Sequence, residues 1–393
     1  MGLSRRLVRP AVARVVVLVA EVPGWGRTRC AVEQELRRRG WRPALSPADA
    51  DALVVCGEPG TRLQASFELI WEQLPGPRAR AVVLIPSAVR AALDQVHADL
   101  ADDAHQRRDA AERSTGPAMG ISATGGNGRD AGGDADEAQD AAAEADGTPQ
   151  GSQEGSEHHH GDMDMGDDMD MPMPAGIPLA GGGEDRDGLN LDVLHVPLGP
   201  VLPAWPAGLL LHCVTQGDVV VGAHAEVLGP SSAPSESGSL VLGSPAERCD
   251  RAARLLTVAG WEGAAVATTR LRDELLGAAP PASCLPAVDR LITRVRRARV
   301  LRWSLRGRVR RDGNRPGPTD PGSPPAEDTY GRLLGMLTTA RSGLGGSAAP
   351  IAPTALNDLP ALVAGQDLAS IRLLVAALEL DTAALVHVGV SGA

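Results

Sequence analysis

Apolar spacing in the first hundred residues alternates between two periods. Residues 12–20 form a β-branched run between Pro10 and Pro23, the pattern of a buried strand. Residues 27–39 carry helical spacing that stops at Gly40, a residue suited to the left-handed turn closing a helix. A second short strand is predicted over 52–56. A helix then follows over 61–74, with Thr61 as N-cap and Leu63, Phe67, Ile70 and Leu74 along one face. Pro75 and Pro77 end it. A third strand is expected over 81–85 and a third helix over 87–100. Strand–helix alternation with short loops implies a parallel, flavodoxin-like α/β layer over 1–100.

Beyond residue 184 the pattern changes. Residues 208–214 are apolar and extended, Gln216-Gly217-Asp218 supplies a turn, and 219–227 runs back. This predicts a β-hairpin, with Gly217 taking a positive φ, inside a small antiparallel sheet spanning 184–230. Residues 230–243 read as a polar loop. Helices are expected over 245–259, 261–276, 286–309, 328–344 and 368–378. The chain therefore reads as an α/β domain, a linker, and an α+β domain whose helical bundle occupies 244–393. His195 and His212 sit in apolar strands and are expected to be hydrogen-bonded core residues.

The linker, 101–183, holds 18 Asp or Glu against 4 Arg, a balance of −14 beside the whole chain's −11. The folded parts are thus close to neutral. Its Ala, Asp, Gly, Glu and Ser cannot bury enough apolar surface to offset conformational entropy, which predicts disorder. Within it stand His158, His159 and His160, then Met163, Met165 and three further methionines interleaved with Asp. Imidazole, thioether and carboxylate together suit loose nickel or copper binding. The alternative reading is a solvated linker whose composition has drifted.

All 38 basic residues are arginine, which reads as a coding bias. Nine of them fall between 294 and 311 with no acid among them. That run, with Arg294, Arg296, Arg297, Arg299 and Arg302 at its centre, fits a solvated bundle face or a dock for an acidic partner subunit or anionic lipid. No aromatic interleaving or groove-reading motif accompanies it, which argues against nucleic acid. The five cysteines are scattered, with no CxxC pair, arguing against a disulfide framework and a zinc ribbon. No signal peptide or membrane span is evident, so the chain is expected to be cytoplasmic, or peripheral on the inner face of the cell membrane. There is no phosphate-binding loop, HExxH or GxSxG motif. Gly57-Glu58-Pro59-Gly60, after the second strand, is either a plain turn or the edge of a small-molecule pocket.

Three segments of the first hundred residues carry a family resemblance. Arg29-Cys30-Ala31-Val32-Glu33, the strand from Ser46-Pro47 to Val54-Val55, and Trp71-Glu72-Gln73-Leu74-Pro75-Gly76-Pro77 resemble, in order and spacing, the cluster-bearing small subunit of respiratory complex I and nickel–iron hydrogenases. Gly199-Pro200-Val201-Leu202-Pro203, Gly208 to Leu211 and Gly217-Asp218-Val219-Val220 resemble the N-terminal sheet of the large, quinone-site subunit of the same assemblies. The stretch from Leu359-Pro360 to Leu378 is similar to that subunit's closing segment.

The resemblance implies a fused small-plus-large-subunit relative, yet its ligand positions are replaced. Arg29 stands where the family has the first of two adjacent cysteines, Ser87 where it has another, and Leu202 where it has a histidine. A four-iron cluster takes one external ligand per iron, so Cys30 alone cannot hold one. The expected function is a non-catalytic structural or accessory subunit of a membrane-associated, complex I-like assembly, without an iron–sulfur cluster. The alternative is a nickel- or copper-handling accessory protein using the His/Met/Asp tract.

Overall fold

A computed structural model describes residues 14–115, 181–184, 190–233, 238–306, 328–346 and 354–390. The His158–Met165 tract lies outside them.

Four parallel strands open the chain: β1 (Val16–Glu21), β2 (Arg42–Pro43), β3 (Ala52–Cys56) and β4 (Ala79–Val83), in the order β2-β1-β3-β4. Every residue of β3 is buried, as a central strand covered on both faces demands. Helix α1 (Gly26–Arg39) packs on β1, β2 and β3, and α3 (Val89–Ala101) packs on β4. Leu63 and Phe67 of α2 (Thr61–Gln73) enter the same core. Gly40 closes α1 at φ 71° with its amide on the carbonyls of Leu36 and Arg37. The cap of α2 is Gly60 instead of Thr61.

Several boundaries differ from expectation, β1 for instance running Val16–Glu21 where a strand over 12–20 is expected. β4 begins and ends two residues early, leaving Leu84 and Ile85 exposed, because its pairing with β3 stops at Cys56↔Val83. The expected linker also opens with a helix, α4 (Asp103–Thr115). It is anchored by polar groups that an apolar pattern does not register. The Gln106 amide accepts from Arg78 N at 2.9 Å and donates to Arg78 O at 3.0 Å and Asp99 O at 2.9 Å. Asp109 holds the buried Arg78 guanidinium through Nη2 at 2.9 Å, while that guanidinium lies 4.1 Å from the Trp71 ring centroid.

A second sheet runs antiparallel in the order β5 (Gly181–Glu184), β6 (Asn190–Leu198), β7 (Leu209–Gln216), β8 (Val219–Val227). β5 thus begins within the expected linker. Gly217 turns β7 into β8 at φ 60°. Leu209, Leu211 and Cys213 face inward onto Leu359 and Val363 of α10 (Leu359–Val363) and onto Ile371 and Leu374 of α11 (Leu368–Ala377). His212 alternates outward, and His195 is likewise exposed. Neither is a core histidine, because at these two positions the second face of the sheet is open, although Leu210 on that face packs against the α/β core.

The remaining helices, α5 (Pro245–Val258), α6 (Glu262–Leu276), α7 (Pro281–Arg297), α8 (Arg299–Leu305) and α9 (Thr329–Leu344), share a third core. α12 (Thr382–Val390) follows α11. The single helix expected over 286–309 is two, parted at Ala298. Leu291, Val295, Ala298, Leu301 and Leu305 stay buried across the break, so the apolar spacing reads straight through it. The described residues before 116 and after 181 belong to one compact unit.

Removing the Asp109 carboxylate leaves the Arg78 guanidinium buried against a backbone carbonyl and an aromatic face. Asp109→Ala is expected to cost about 3 kcal/mol in urea unfolding, in the range for breaking a buried ion pair. Unchanged stability would show that α4 is not docked.

Candidate functional site

In an open parallel sheet, ligands bind outside the carboxyl ends of the strands, where the strand order reverses. Here that point lies between β1 and β3, whose last residues, Glu21 and Cys56, pair directly. The second half of the chain is packed against it. Gly60 N donates to Gly229 O at 3.0 Å and Ser231 N to Glu58 O at 3.1 Å, so the 57–60 turn is occupied by chain from beyond β8. Gly57 at φ 113° sits so close to Trp25 that a Cβ would lie 2.6 Å from its ring.

A buried ion cluster fills the rest of the seam. α5 is set by Ser244, whose hydroxyl caps Glu247 N at 3.2 Å, with Pro245 at the first helical position. One turn further on it presents Asp250, and four residues later Arg254. α1 brings Arg29 and Glu33, β1 ends in Glu21, and α6 supplies Arg272 and Asp273.

Arg29 reaches Glu21 at 2.6 Å through Nε, Asp250 at 2.6 Å through Nη2, and Glu33 through Nη1. Arg272 reaches Asp250 at 2.7 Å, Glu33 at 2.8 Å and Asp273 at 2.8 Å. Arg254 bonds Asp250 at 3.0 Å and Glu21 at 2.7 Å. Arg37 adds a contact to Asp273. Four guanidiniums thus meet four carboxylates.

The protonation states follow from these contacts. Burial opposes the Arg29 charge most strongly, yet Asp250, Glu33 and Glu21 together hold its pKa well above the ordinary value. Arg272, opposed by burial in the same way, is also raised well above it. Burial works against ionised Asp250, but Arg29, Arg254 and Arg272 hold it well below the usual carboxylate range. Glu33, against the same penalty, is drawn down to about 2 by Arg29 and Arg272. Cys30 lies in the same seam, its Sγ 3.8 Å from Asp250 Oδ1, and burial pushes its thiol up to about 12. None of these five groups changes charge between pH 5 and 8.

Beside the cluster lies a cavity of about 420 Å³. Arg29, Glu33 and Arg254 form its polar side; Leu36, Leu202 and Trp205 belong to its apolar wall. Gly199 brings the Pro200–Trp205 loop to this wall: at φ 96°, a Cβ there would lie 2.1 Å from Leu209 O. Trp205 fixes the loop's far end through Nε1 to Leu209 O at 2.8 Å.

Of the residues named from sequence, Arg29, Cys30, Glu33 and Leu202 reach this site, while Arg294, Arg296, Arg297, Arg299 and Arg302 are exposed on α7 and α8. Asp250, Arg254 and Arg272 were not anticipated. Their signal is charge inside apolar helical stretches: Asp250 follows Cys249 and precedes Ala252 and Ala253, all buried. Among the described residues, no group of three or more His, Cys, Asp or Glu side chains is arranged to hold a metal ion, and no helix is long and apolar enough to cross a membrane.

In comparisons with protein-family models, curated proteins and solved structures, nothing matches the chain. The fold and the site define a parallel α/β layer joined to an antiparallel sheet and helices by a neutralised ion cluster.

Asp250→Ala leaves three guanidiniums over one lost carboxylate and is expected to cost about 3–5 kcal/mol in denaturant unfolding. The depressed Glu33 and Asp250 contribute stability that is complete above the unfolded-state carboxylate pKa of about 4. It is lost as pH falls from there through their folded-state values. The melting temperature of the native chain should therefore drop between about pH 4 and pH 2, and that drop should be shallower in Asp250→Asn.

Proposed function

We propose that this chain is a non-redox structural or accessory subunit of a membrane-associated, complex I-like assembly. Its two halves stand for the cluster-bearing and quinone-site subunits of that family, with the flavodoxin-like strand order in the first. One observation carries the reading. The position where the resemblance puts a cluster thiolate is Arg29, whose guanidinium is spent on Glu21, Glu33 and Asp250.

A strut of this kind joins the halves without transferring anything. Arg29, Arg272, Asp250 and Glu33 keep their charge through neutral pH, so they supply neither acid nor base. The Cys30 thiol is held protonated and so is not a ready metal ligand. Leu202 offers the cavity a methyl-bearing wall where the family's histidine would offer a hydrogen bond.

Two measurements test the proposal. Tagged chain drawn from detergent-solubilised membranes of its own host should migrate in a large complex together with integral membrane subunits. The purified chain, produced with ample iron and sulfide, should give no low-spin iron–sulfur EPR signal on reduction. Such a signal, or a chain found only alone, overturns it.

A further inference from the structure

We infer that the end of α7 and all of α8 form a membrane-surface contact, with Trp303 as an apolar anchor among arginines and an anionic bilayer as its partner. The inference goes beyond the accessory-subunit reading and does not depend on it.

The orientation of α8 is fixed from inside. Leu301 and Leu305, at 0% and 1% exposure, are locked into the bundle core. Helical spacing then turns Val300 and Trp303 to the outside together, and they stand 69% and 82% exposed. Trp303 cannot be withdrawn without pulling both leucines out. An indole exposed that far, next to a bare valine, is a large apolar surface with no cover among the described residues.

The residues beside it along the chain carry one sign of charge, and the nearest acid before them, Asp289, is taken up by Arg341 at 2.6 Å. Arg299 and Arg302 flank Trp303 on α8, Arg306 follows its last turn, and Arg294, Arg296 and Arg297 end α7; all are exposed. No acid occurs from 290 to 311. Among the described residues, none of these six arginines makes an ion pair, although elsewhere in the fold arginines are paired densely. Arg306 only faces the Tyr330 ring at 6.0 Å. Arg294 and Arg297 also border an open cleft of about 640 Å³ beside Trp261.

A bilayer suits this pattern better than a protein partner does. Arginines without ion pairs, spread along two successive helices, match a continuous anionic surface, whereas a protein dock needs discrete carboxylates in register. Trp is the side chain that settles at headgroup depth, its ring in the acyl boundary and its N–H in the polar layer. Arginine stems lie along apolar surface while their heads reach phosphate. At physiological salt, screening over about 8 Å confines the repulsion from the chain's acidic residues and leaves contact attraction intact.

The test is co-sedimentation of the full chain with vesicles at 0.15 M salt. Binding is expected to phosphatidylcholine vesicles containing phosphatidylglycerol or cardiolipin, and not to phosphatidylcholine alone. Affinity should fall about fivefold for each arginine removed in the series Arg296→Gln, Arg297→Gln, Arg299→Gln and Arg302→Gln. Trp303→Ser should weaken binding by roughly tenfold and abolish the blue shift in tryptophan emission that accompanies it. Each site is exposed, so the variants should melt like the parent, which is checked by circular dichroism. Equal binding to neutral vesicles, no binding at all, or an unaffected Trp303→Ser variant overturns the inference. Capture by polyglutamate with no vesicle binding would also overturn it, marking the surface as a dock for acidic protein.

Discussion

The fold depends on one buried carboxylate. Asp250 has 5% of its side chain exposed and accepts from Arg29, Arg254 and Arg272. Alone it would be untenable there, since desolvating a single carboxylate costs several kcal/mol. Three guanidiniums reverse that balance, but only while α1, α5 and α6 hold their donors in place. Each helix is therefore positioned by what the others require of the same two oxygen atoms. That is a directional constraint, unlike the hydrophobic cores on either side, whose attraction has no preferred direction.

The same constraint accounts for the cavity. Charged heads that are fully engaged with one another cannot fold inward to fill adjacent space. On the opposite wall, Gly199 and Trp205 pin a loop that cannot collapse across the gap. The switch point of the parallel sheet, where a ligand would ordinarily enter, is closed by the 57–60 turn bonding to 229–231 and by the Glu21 carboxylate in the cluster. What an isolated α/β layer would present to a ligand, this chain presents to its own second half.

Legibility from sequence followed the type of force involved. Elements built on apolar period were readable: β3, α1 with its Gly40 cap, and the β7–β8 hairpin turning at Gly217. Elements held by polar contact were not. α4 is docked by Gln106 and Asp109, whose partner Arg78 is remote in sequence, so its composition looked like that of the tract after it. The cluster escaped for the same reason, since Arg29 and Asp250 are 221 residues apart and neither helix alone shows which partner its charge meets. Ala298 escaped because a break that preserves the buried stripe leaves no trace in the period. The exposure of His195 and His212 was not legible because an apolar strand composition does not register which face of a sheet is left open.

Arginine being the only cation has a consequence that coding bias alone does not convey. A hub such as Arg29 meets Glu21, Glu33 and Asp250 through three different nitrogens of one rigid plane. An ammonium presents a single, strongly hydrated point charge and could not satisfy three carboxylates arriving from β1, α1 and α5 at fixed angles. Guanidinium is also the more weakly hydrated ion, which lowers the cost of burying it in the seam. On α8 the same property acts outward, where the arginines around Trp303 meet no carboxylate among the described residues. One residue type therefore serves both places, and the presence or absence of an acid opposite it decides whether it seals the interior or seeks a surface.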